Sequence, residues 1–91
     1  MEIHLAGSRP TSLAPKEYFT GTVWQYPIIA AAAPARIVSA CVSFEPGART
    51  AWHSHPLGQT LYVLAGVGRV QTKGGSVREI RPGDVVWIPP G

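Results

Sequence analysis

The rhythm of its glycines and prolines limits most tightly how this chain can fold. Ten Gly and nine Pro fall among 91 residues, recurring about every 8 to 12 positions. Apolar runs broken this often are too short for a long helix, and no sustained 3.6-residue period is present. Strands of four to eight residues fit between the breaks. Eight stretches read this way: 2–5, 22–26, 36–44, 48–53, 59–65, 68–72, 77–80 and 85–88. The alternation is clearest in 36–44, where Val38, Ala40, Val42 and Phe44 share one face and Ser39, Cys41 and Ser43 the other. Lys73-Gly74-Gly75-Ser76 reads as a hairpin turn. Arg81-Pro82-Gly83-Asp84 reads as a second turn, capped by Asp84. Residues 15–19 form one helical turn at most, and 30–35 a loop or strand edge. The whole predicts an all-β sandwich or closed barrel, built as one domain over residues 1–91.

Charge and composition narrow the function classes. The formal net charge is +3, but the eight Lys and Arg residues are scattered, with no run that tracks phosphates. No nucleic-acid partner is expected. No apolar stretch approaches the roughly 20 residues of a membrane helix, so no membrane span is expected. Met1-Glu2-Ile3-His4-Leu5 lacks the basic start and apolar core of a signal peptide. Cys41 is the single cysteine, which excludes an internal disulfide and fits a reducing cytoplasm. Charged residues are only 14% against 45% apolar. That balance points to surface covered by a second copy, hence a homo-dimer or larger homo-oligomer.

The chemistry concentrates at His53, His55 and Gln59. On a strand, residues two apart point to the same face about 6.5 to 7 Å from one another, and two imidazoles so placed can converge on one ion. Gln59 follows across Pro56-Leu57-Gly58, where the chain doubles back, so it can face the same interior. The spacing alone also fits two surface polar residues. The apolar flanks favour a metal, because a buried imidazole without a partner costs several kcal/mol.

The spacing Gly47-X5-His53-X-His55-X3-Gln59-X6-Gly66 resembles the first motif of the cupin superfamily. Gly83-X5-Pro89-X-Gly91 resembles its second, and the two lie about 16 residues apart. The resemblance covers roughly residues 36–91, with 1–35 as N-terminal strands and loop. It implies a cupin barrel of jelly-roll type and a divalent metal held by His53, His55 and Gln59. The family's fourth ligand, a histidine three residues after the second-motif glycine, has no counterpart before the last residue, Gly91. The expectation is a chain cut within the second motif, or one whose barrel a partner completes. Gln59 stands where most cupins carry glutamate, which leaves the ion's charge uncompensated.

The segment 44–61 is similar to a bacterial cupin subgroup that includes manganese-dependent hydroxynitrile lyases. This resemblance implies manganese, with iron, nickel or zinc as alternatives, and a small hydroxyl or carbonyl substrate cleaved as a cyanohydrin. Thr50 would lie near the substrate oxygen, and Ala40, Val42, Phe44 and Leu61 would wall an apolar pocket. Plain core packing and an ordinary strand threonine are the competing readings of those residues. The competing functions are a cupin dioxygenase and a non-catalytic metal- or small-molecule-binding module.

Overall fold

The computed structural model describes residues 1–91, and nine strands with no helix carry its regular structure. The chain divides into two compact units, Met1–Ala51 and Trp52–Gly91.

The first unit is organised by one long hairpin. Its strands are β1 (Ser12–Leu13), β2 (Phe19–Thr20), β3 (Val23–Ala30), β4 (Val38–Phe44) and β5 (Arg49–Thr50). β3 and β4 pair antiparallel from Val23 opposite Phe44 to Ala30 opposite Val38, and the register slips between Pro27 and Ile29. Pro27 has no N–H for the ladder, so the slip falls where a hydrogen bond is already lost. β1 adds to β3 on the other side, giving the order β1-β3-β4, while β2 pairs with β5. Thr22 carries the chain from β2 to β3, and Gly21 beside it has φ +82°. A Cβ at Gly21 would lie 2.9 Å from the Ala48 Cα, so that close approach admits only glycine. Arg9 fastens the N-terminal segment by donating to the Ile28 carbonyl at 2.8 Å and lying 5.6 Å over the Tyr26 ring. Val23 is fully buried and Ala14 largely so, with Phe19 and Phe44 meeting edge to face at 5.9 Å.

The second unit holds β6 (Gln59–Tyr62), β7 (Gly68–Val70), β8 (Arg78–Ile80) and β9 (Val85–Ile88). β7 and β8 form the hairpin expected from the Gly74-Gly75 turn, where the Gly75 N–H donates to the Thr72 carbonyl at 2.7 Å. β6 pairs with β9 from Gln59 opposite Ile88 to Tyr62 opposite Val85. The 81–84 turn closes twice: the Asp84 N–H donates to the Arg81 carbonyl at 2.9 Å, and the Arg81 N–H to Asp84 Oδ2 at 2.7 Å. Asp84 therefore caps that turn, as its position after Pro82-Gly83 predicts. Gln59, Leu61, Val86 and Ile88 are half-buried on one face of the β6–β9 pair, and Thr60, Tyr62, Val85 and Trp87 are exposed on the other.

Several expectations change. Residues 2–5 form no strand, because no neighbouring edge takes up their backbone groups. The stretch 48–53 shrinks to Arg49–Thr50, since its partner β2 is only two residues long. The residues of the expected helical turn make a plain turn leading into β2. β4 alternates as read, but its apolar face is the open one: Val38 is 76% exposed and Phe44 48%. Ser39 and Cys41 lie on its better covered face.

Candidate metal centre

Beyond β5 the chain loses regular structure and turns sharply. The Gly58 N–H donates to the His55 carbonyl at 3.2 Å and closes the turn, and Gln59 then opens β6. His53 and His55 thus lie in irregular backbone and not on a strand, which corrects the strand-face geometry expected from their spacing. The turn still brings them together. Their ring centroids are 4.7 Å apart, with planes at 84°.

His55 is the half-buried member of the pair. Its Nε2 is shut away from solvent and meets no hydrogen-bond partner. Such a nitrogen carries the full desolvation penalty of an unpaired polar atom, about 1–3 kcal/mol. A divalent ion accepting its lone pair removes that penalty, so the orphaned atom fits a metal centre. No cluster of three His, Cys, Asp or Glu side chains exists anywhere in the chain. Gln59, half-buried and four residues on, is the remaining candidate ligand, and its side-chain amide oxygen would be the donor. Two imidazoles and an amide make a neutral donor set.

Contacts from β9 and from Gly91 beyond it hold this turn. The Gly91 N–H also donates to the His55 carbonyl at 3.2 Å, so that oxygen accepts twice. Gly58 has φ +81°, and a Cβ there would stand 2.5 Å from Trp87 Cη2 and 2.8 Å from the Ile88 carbonyl oxygen. In the sequence the only signal of these contacts is the glycine directly before Gln59.

The remaining candidates are placed as follows. Leu61 lies on the Gln59 face of β6. Ala40, Val42 and Phe44 share the open face of β4 in the first unit. Ala40 lines a shallow cavity of about 430 Å³ with Gln25, Pro27 and Arg9, which Val42 and Phe44 do not reach. Thr50 pairs with Phe19 in the β2–β5 ladder. Cys41, the one free thiol, is half-buried on the opposite face of β4 from Ala40 and Val42.

The cupin-domain family pattern matches residues 40–91. An (R)-mandelonitrile lyase of Granulicella tundricola is 57% identical over all 91 residues, which span 70% of that relative. The crystal structure of a cupin-like protein from Thermotoga maritima superposes with a TM-score of 0.81 at 41% identity. That match covers 99% of this chain, and the chain spans 65% of that protein's length. The all-strand architecture and these matches bear out the cupin fold expected from the motifs.

Proposed function

This chain belongs to the cupin superfamily, and we propose that it is a metal-dependent lyase that cleaves or forms cyanohydrins. The carrying observation is the extent of the likeness to a relative named for mandelonitrile cleavage: it runs the whole length of the chain. The orphaned His55 Nε2 beside the His53 ring supports the metal.

His53, His55 and Gln59 would hold a divalent ion, manganese first with iron, nickel or zinc as alternatives, which would supply Lewis-acid stabilisation of negative charge developing on a substrate oxygen. The neutral donor set keeps that charge-stabilising power undiluted, which a glutamate at position 59 would reduce. In cleavage, the cyanohydrin hydroxyl gives up its proton. The oxygen electron pair then forms the carbonyl as the carbon–cyanide bond breaks. Cyanide leaves with the bonding pair and takes up the proton, so an aldehyde and hydrogen cyanide balance the starting molecule. Leu61, on the Gln59 face, is the proposed apolar neighbour of the substrate. Thr50 remains the proposed hydroxyl partner of the substrate oxygen, and Ala40, Val42 and Phe44 the proposed apolar wall.

Two further readings accompany this one. A homo-oligomer is supported by the small core, since Ala14 and Val23 are its only buried hydrophobic residues. A reducing compartment is supported by the lone thiol of Cys41. No helix is long and apolar enough to cross a membrane.

The test is benzaldehyde release from mandelonitrile by the manganese-loaded chain, followed by absorbance, with His53→Ala as control. Release by the wild type, at least tenfold slower in His53→Ala, is the expected result. Oxygen uptake with a phenolic or diketone substrate in its place would favour the dioxygenase reading. Metal bound without any turnover would favour a binding module.

A further inference from the structure

We propose that Trp87 is a positioning residue for the metal centre, acting through Gly58, with the Gly91 amide as its second anchor. This rests on the reading of His53, His55 and Gln59 as ligands. His55 and Gln59 flank a three-residue turn, and turn residues free to rotate would let the two donors drift apart. Three separate contacts, two with the end of β9 and one with Gly91 beyond it, oppose that. The Gly91 N–H holds the His55 carbonyl at 3.2 Å, on the same oxygen that the Gly58 N–H reaches. The six-membered ring of Trp87 lies against Gly58 so closely that a Cβ would meet Cη2 at 2.5 Å and Cζ2 at 3.0 Å. Gln59 itself is held opposite Ile88 by the ladder. The residue before the proposed amide ligand is therefore seated on an aromatic plate, and the carbonyl of the proposed imidazole ligand is held from both sides.

Plain packing is a poor account of Trp87. The residue is 58% exposed, so most of its surface contributes nothing to a core. Its close approach is to a glycine, where only backbone is available to be steadied. Partners that orient a ligand from outside the coordination sphere typically change metal affinity by about 10- to 100-fold when removed.

The experiment measures the Mn²⁺ dissociation constant by chelator competition, together with the urea unfolding midpoint, for wild type, Trp87→Ala, Trp87→Leu, Trp87→Phe and Gly58→Ala. Amide hydrogen exchange at Gly58 and Gly91 is followed in the metal-free chain. Positioning predicts that Trp87→Ala and Trp87→Leu weaken Mn²⁺ about 10- to 100-fold with little change in midpoint. Trp87→Phe restores most of the affinity, Gly58→Ala weakens it as Trp87→Ala does, and Trp87→Ala speeds exchange at both glycines. Trp87→Leu serves where Trp87→Ala fails to fold. Wild-type affinity in the folded Trp87 variants, or unchanged exchange at Gly58 and Gly91, would overturn the proposal while leaving the ligand reading intact. A wild type that binds no Mn²⁺ yet shows the exchange effect would overturn the ligand reading and the metal role together, which separates the two failures.

Discussion

At the scale of single residues, the chain carries two buried side-chain nitrogens without partners, Arg9 Nε and His55 Nε2. The Arg9 guanidinium already donates elsewhere, to the Ile28 carbonyl, and rests on Tyr26. His55 Nε2 meets no partner at all, and under the proposed function this is the atom at which a metal would offset the lost stability. Replacing His55 by phenylalanine removes the unpaired nitrogen and keeps a ring of similar shape. The metal-free His55→Phe chain should then be as stable as wild type or up to about 1 kcal/mol more so, because an apolar replacement of the same shape ends the desolvation penalty. Urea unfolding measures this, and a clear loss of stability would show that the nitrogen is satisfied in solution. The histidine pair and Gln59 were legible in the sequence because their spacing is itself the motif. The seat of Gly58 on Trp87 is not, because it arises from β9 folding back on a turn nearly thirty residues earlier.

At the scale of elements, the strands legible in advance are those with a partner as long as themselves. β9 runs from Val85 to Ile88 as read, and β6 opens at Gln59 as read. Residues 2–5 and the outer parts of 48–53 have strand-like composition without a long enough partner, and pairing decided against them. β1 and β2 have only two residues each, too few for any period to be visible, and exist because β3 and β5 offer them an edge. Alternation fixed which residues of β4 share a face, yet it could not say which face is covered. The energetic contrast follows from burial. Val23 is 2% exposed and Val38 76% exposed, both on the same hairpin. Val23→Ala should cost about 2 kcal/mol through lost burial and an unfilled cavity, and Val38→Ala less than about 0.5 kcal/mol. Urea midpoints for the two variants check this. Equal losses would mean that the open face of β4 is covered in solution.

At the scale of the whole molecule, large apolar side chains set the question. Leu13 in the first unit and Trp52 and Tyr62 in the second stand open to solvent, and the proposed homo-oligomer would cover side chains of this kind. Light scattering should give at least twice 9.7 kDa, with a thermal midpoint that rises with concentration. A monomer at all concentrations would remove the oligomer from the account. The claim on which the rest depends is that this chain holds a metal through His53, His55 and Gln59. Metal content per chain, by plasma mass spectrometry on manganese-loaded protein, tests it most directly. The account predicts close to one ion per chain in the wild type and a loss of most of it in His53→Ala and in Gln59→Ala, with the variants still folded. Metal-free wild type, or metal retained by both variants, would contradict it.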